Sequence, residues 1–153
     1  MTENLLRVLV VDDNRDNANI IQQYLQSTQE YVVDVAYDGD EALRTFRERR
    51  PDLVLLDVVM PGPNGWEVCR IMKSEPEHAA STRVIMVTAR DDLADKRTAL
   101  QTGADDFLEK PLDFGKMLAA VRRNAATLSP RTAGRAAGSG DDTLGPGTPV
   151  NKA

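Results

Sequence analysis

The chain is poor in several things, and each scarcity removes a class of function. A single cysteine, Cys69, rules out an intrachain disulfide and agrees with a reducing compartment. Positive charge is not in excess: 19 basic residues against 24 acidic ones leave a net charge of -5, so the footprint of a nucleic-acid binder is missing. No apolar run approaches the length that spans a bilayer. The opening "MTENLLRVLVVDD" has no basic segment ahead of its apolar stretch, and two aspartates cut that stretch short; a signal peptide is not expected, and the default compartment is the cytoplasm. There is no G-x-x-x-x-G-K-[ST], hence no P-loop for a nucleotide. What remains is 153 residues, 41% hydrophobic, which is enough for one domain with a real core.

Five short apolar, β-branched runs recur: "LLRVLVV" (5–11), "YVVDVA" (31–36), "DLVLLD" (52–57), "RVIMVT" (83–88) and "DFLEK" (106–110). Helical patterns separate them. Ala18, Ile21, Tyr24 and Leu25 fall at helical spacing within 14–28; Asp38 with Glu41, and Asn64 with Glu67, read as variant capping boxes opening the second and third helices. A fourth helix is expected over 92–102, ending at Gly103, and a fifth from Asp113 with Met117, Leu118 and Val121 turned inward. Alternating strands and helices imply a parallel sheet covered on both faces, with every strand ending at one edge. Beyond Leu128 the composition shifts to five glycines and three prolines in 25 residues, so 129–153 is expected to be a disordered Gly/Pro/Ala-rich tail behind a domain of residues 1–128. Without the tail the first 128 residues hold 16 basic and 22 acidic side chains, so the acidity belongs to the folded part.

In a sheet of this kind ligands bind at the carboxyl edge, near the point where strand order reverses. The strand ends supply Asp12 and Asp13, then Asp57, Thr88 and Lys110. Two carboxylates about 4 Å apart repel by roughly 4 kcal/mol at an effective dielectric of 20. Three together call for a cation; Lys110 gives one charge, and a divalent ion would give the rest. Hard oxygen ligands with room for water describe a Mg²⁺ site, with Mn²⁺ an acceptable substitute, and the layout suggests phosphoryl transfer to Asp57 as nucleophile. Each residue has a plainer role as well. Asp13 or Asn14 would cap the first helix, Thr88 would serve as an ordinary β-branched strand end, and Lys110 as a solvated lysine.

Taken in order, "VLVVDDN", "DGDEAL", "PDLVLLDVVMPGPNG", "VIMVTAR" and "GADDFLEKP" resemble the receiver domain of two-component response regulators, over about residues 5–126. The resemblance implies a flavodoxin-like, doubly wound α/β fold with a five-stranded parallel sheet in the order 2-1-3-4-5 and five helices. It implies a signalling phosphoacceptor rather than an enzyme with a separate substrate. Asp57 would be fed by the phosphohistidine of a sensor histidine kinase or histidine phosphotransfer protein. Asp13 would bind Mg²⁺ directly, Asp12 would assist through water, and the Val59 carbonyl would complete the protein ligands. Thr88 and Lys110 would hold the phosphoryl group, Phe107 would be the aromatic that turns inward with Thr88, and Pro111 matches a position often preceded by a cis peptide. Val59 and Arg90 occupy the two positions that tune phosphate lifetime, and an apolar Val59 implies slow self-dephosphorylation.

By the same resemblance, donor choice falls to the first helix and the loop after strand five, including Arg15, Asn19 and Leu112. The face of the fourth helix, fifth strand and fifth helix, around Lys96, Phe107 and Arg122, would change on phosphorylation, meet an unidentified downstream protein, and is the family's frequent homodimer surface. The chain reads as a stand-alone receiver that touches neither nucleic acid nor membrane. Two other classes compete with this reading. A phosphatase with an aspartyl nucleophile would want a second aspartate at position 59, where valine stands; an inactive receiver-like scaffold is disfavoured by the intact Asp12, Asp13, Asp57, Thr88 and Lys110. His78 reads as a solvated histidine, Cys69 as a small buried hydrophobe, and Trp66 as a packing residue near the acceptor loop.

Overall fold

The computed structural model describes residues 5–76, 81–89, 101 and 103–128. Five strands, β1 (Leu6–Val11), β2 (Tyr31–Ala36), β3 (Leu53–Asp57), β4 (Arg83–Ala89) and β5 (Asp106–Lys110), form one sheet in the order β2-β1-β3-β4-β5. Every pairing is parallel, with Val8 opposite Val33 and Leu53, Leu53 opposite Arg83, and Ile85 opposite Asp106. Among the described residues the helices are α1 (Arg15–Ser27), α2 (Gly39–Arg49), α3 (Gly65–Ser74) and α4 (Phe114–Ala125). The sheet order and the flavodoxin-like α/β class are as expected from sequence. The helix expected over 92–102 lies outside the described residues apart from Gln101, as do Lys96, His78, Arg90 and the 129–153 tail.

Period-two alternation along the strands sorts the core into two layers. Leu9, Val11, Val54, Leu56, Val84 and Met86 point to the side covered by α2 and α3, where Phe46, Val68, Cys69 and Met72 meet them. Val8, Val10, Leu53, Leu55 and Ile85 point to the opposite side, against Ala18, Ile21 and Leu25 of α1 and Met117, Ala120 and Val121 of α4. Because both faces are covered, β3 is buried at all five residues, which is why it reads as a continuous apolar run. Leu118 packs against the α1 side of the core, as its spacing predicted.

Each helix starts where a short polar side chain accepts a hydrogen bond from its first turn. Asn14, Asp38, Asn64 and Asp113 accept from the backbone N–H groups of Asn17, Glu41, Glu67 and Lys116. The Asn64–Glu67 pair closes a reciprocal capping box. The Asp38–Glu41 pair does not: the Glu41 carboxylate reaches one residue further back and accepts from Tyr37 N–H at 2.8 Å. At the amino edge of the sheet, fully buried Asp52 joins three strands. Its Oδ2 accepts from Arg7 N–H at 2.9 Å, its own N–H donates to Arg7 O at 2.8 Å, and its carbonyl accepts from Arg83 N–H at 2.9 Å.

Candidate functional site

Parallel strands deliver their ends to one edge, and at this edge the order reverses between β1 and β3. Asp12 follows β1 and is anchored by its N–H to Ala36 O at 3.1 Å, while Asp57 is the last residue of β3. Carboxylate oxygens of Asp12, Asp13 and Asp57 fall within 4.8 Å of one another, with Asp13 exposed and Asp57 buried. Lys110 closes β5 and donates from Nζ to Asp57 Oδ1 at 2.9 Å; the Asp57 side chain is 5% exposed, that of Lys110 39%. Val59 N–H donates to the same oxygen at 3.2 Å. Asp57 Oδ1 therefore has two donors among the described residues.

The balance of charge is visible in Asp12. Burial, and then the neighbouring Asp57 and Asp13 carboxylates, push its pKa above the usual carboxylate value, against the Asn14 N–H bond and the Lys110 charge. One ammonium does not neutralise three carboxylates. Oxygens around a single Mg²⁺ stand up to about 4.2 Å apart, so this acid set is close to the size of one hard-cation shell, and its all-oxygen donors suit that ion.

Thr88 is buried, and among the described residues its hydroxyl donates only to the Ala89 carbonyl, at 3.5 Å, a long and weak hydrogen bond. Its backbone follows Val87, which lies opposite Asp57 and accepts from Val58 N–H at 3.1 Å. Phe107, opposite Met86, is half-buried against the α2–α3 side of the core. The Lys110–Pro111 peptide is cis, as the resemblance implied. Val59 is 64% exposed.

Other features depend on tertiary contacts. Gly65 opens α3 directly behind the acceptor strand end; a Cβ there would run into the Asp57 carbonyl, and its N–H donates to Val58 O at 2.8 Å. An apolar groove of ≈ 340 Å³ runs from Asp57 and Lys110 between α1 and the loop after β5, past Ile20, Leu112 and Phe114. Its sequence signal is Ile20, an aliphatic residue off the buried 18-21-25 stripe of α1 and 51% exposed. Arg15 stacks over the Tyr37 ring at 4.1 Å, and Asn19 accepts from the Tyr37 hydroxyl at 3.0 Å, so both are held by the end of β2. Arg122 turns toward Glu30 at 2.6 Å, ahead of β2, whereas Arg123 beside it binds Asp106 of β5 at 2.7 Å. Asn124 adds a second bond from α4 to the same Asp106 carboxylate, at 2.9 Å.

Comparison with known proteins places this geometry. The family model for the response regulator receiver domain matches residues 8–122. A response regulator from Chloroflexus aurantiacus is 29% identical, with a TM-score of 0.73 over 80% of this chain and 98% of its own. The chemotaxis protein CheY4 of Vibrio cholerae is 28% identical, with a TM-score of 0.72 over 78% of this chain and 98% of its own. The signal receiver domain of a histidine kinase from Syntrophus aciditrophicus is 32% identical, with a TM-score of 0.72 over 79% of this chain and 90% of its own.

Proposed function

Because this chain belongs to the response regulator receiver family, we propose that it is a cytoplasmic phosphoacceptor switch whose acceptor is Asp57. The single observation that carries the assignment is the buried Asp57 carboxylate, gripped by Lys110 on Oδ1 and crowded by Asp12 and Asp13. A carboxylate held against one ammonium at a buried strand end is placed to act as a nucleophile. Its oxygen attacks the phosphorus of a phosphohistidine on a sensor kinase or histidine phosphotransfer protein. The N–P bond breaks, the imidazole leaves with the electron pair and takes up a proton, and an aspartyl phosphate forms.

Asp12, Asp13, Asp57 and the Val59 carbonyl hold Mg²⁺ in this reading, and the metal, when bound, offsets the negative charge gathered on the phosphoryl oxygens. Lys110 and Thr88 hold those oxygens. Thr88 is suited to move, since its hydroxyl gives up only a weak bond, and Phe107 beside β4 follows it, giving a two-state element biased by local charge. The output is contact with another protein, and the protein catalyses no reaction beyond its own phosphorylation and dephosphorylation. Residues 1–128 form the switch and 129–153 the appended tail.

Incubation with Mg²⁺ and a small acyl or amido phosphate, followed by intact mass measurement beside Asp57→Asn, tests the proposal. It requires a single phosphoryl adduct on the wild type alone. Metal binding without an adduct would leave a receiver-like scaffold, and turnover of the donor without a stable adduct would point to a phosphatase.

A further inference from the structure

The groove beside Asp57 joins two chemistries. Buried Val10, Leu55 and Val87 line it from the sheet, and Ile20, Leu112 and Phe114 line it from α1, the loop after β5 and the start of α4. Its charged end holds Asp12 and the Lys110–Asp57 pair. Ile20, one of two exposed large hydrophobics among the described residues, lines the groove; the other, Val59, is not part of its lining. With a divalent cation held by Asp12, Asp13 and Asp57, as in the proposed function, a ligand matching both ends would carry an anionic head and a short uncharged chain in one molecule.

Resting on the phosphoacceptor reading above, we propose that this groove selects among small phosphodonors, favouring acyl phosphates with longer aliphatic chains, with Ile20, Leu112 and Phe114 as the specificity-determining residues. The chemistry narrows the class. An aspartyl phosphate is a mixed anhydride, so a donor that is itself a carboxylic–phosphoric anhydride passes its phosphoryl group on at nearly even free energy, whereas an alkyl phosphate does not. The Asp57 oxygen forms a bond to phosphorus, the bond from phosphorus to the acyl oxygen breaks, and the electron pair leaves on the fatty carboxylate. No proton is needed, and the total charge of reactants and products is the same. The aliphatic chain loses water in the groove as the head settles against Lys110, so each added methylene strengthens binding of donor and transition state alike.

The test measures second-order rates of adduct formation by intact mass on the full chain with Mg²⁺, using acetyl, propionyl and butyryl phosphate, and phosphoramidate as a donor with no chain. The expected rise is about two- to fourfold per methylene. In Ile20→Ser the butyryl-to-acetyl ratio falls toward one; because the ratio is taken within one variant, partial loss of folded protein cancels. Equal rates for acetyl and butyryl phosphate, with phosphoramidate reactive, would overturn the inference and leave the phosphoacceptor reading intact. An undiminished chain-length preference in Ile20→Ser would overturn the assignment to this groove. No adduct from any donor would overturn both.

Discussion

Replacing Asp12 by asparagine should stabilise the metal-free protein, although it damages the proposed site. At the 4.8 Å limit that bounds the acid cluster, two carboxylates repel by about 3.5 kcal/mol at an effective dielectric of 20. Attraction to Lys110 and the partial exposure of Asp12 offset a good part of this, leaving an expected gain of about 1–2 kcal/mol at pH 7. Asparagine keeps an acceptor for the Asn14 N–H that Asp12 Oδ1 holds at 2.9 Å, so helix α1 retains its entry. The sign with pH follows from the raised pKa. Above its folded value the ionised Asp12 weakens the wild type, and the penalty disappears as pH falls toward the unfolded value of 3.8, so the advantage of the variant fades on acidification. Urea unfolding followed by fluorescence of Trp66, half-buried against the core, reads the difference with and without Mg²⁺. Magnesium should raise the stability of the wild type more than that of Asp12→Asn. A variant less stable than the wild type in chelator at low salt would refute the electrostatic reasoning.

Other perturbations probe separate parts of the account. Val59→Asn should shorten the lifetime of the phosphorylated protein by about tenfold, the worth of one hydrogen bond to an attacking water, as followed by decay of the phosphoryl mass; an unchanged lifetime would remove Val59 from the tuning role. Gly65→Ala should cost about 2 kcal/mol or more in urea unfolding, because its methyl group meets the Asp57 carbonyl, and a neutral effect would contradict the close approach. At Asp106, burial raises the carboxyl pKa but is outweighed by Arg123, Asn124 and the Phe107 N–H, so the net shift is downward. Its contribution is present above 3.8 and lost as pH falls through the lowered folded value. Asp106→Asn should therefore lose about 0.5–1 kcal/mol at pH 7, with the gap to the wild type closing in acid.

The strand ends were legible because a parallel sheet leaves little freedom. A run such as Leu53–Leu56 buried on both faces must surface at the carboxyl edge, so the side chain that follows it is presented there. That reasoning located Asp12, Asp13, Asp57, Thr88 and Lys110 without any tertiary information. Contacts between elements distant in sequence were not legible. Nothing local says that Glu41 reaches past Asp38 to Tyr37, that Gly65 backs onto the Asp57 carbonyl, or that Arg122 pairs with Glu30 across 92 positions while Arg123 takes Asp106. Ile20 lay between the two cases. Its departure from the α1 stripe was visible, but the groove it lines exists only once α1 and the loop after β5 come together.

The central claim is that one carboxylate of this chain, Asp57, becomes an acyl phosphate. Borohydride reduces an aspartyl phosphate to homoserine, so the protein would be treated with donor and Mg²⁺, reduced, digested and sequenced by mass spectrometry. The account predicts homoserine at position 57 and nowhere else. Homoserine at Asp12 or Asp13, or none at any position from a protein that carries a phosphoryl adduct, would contradict it.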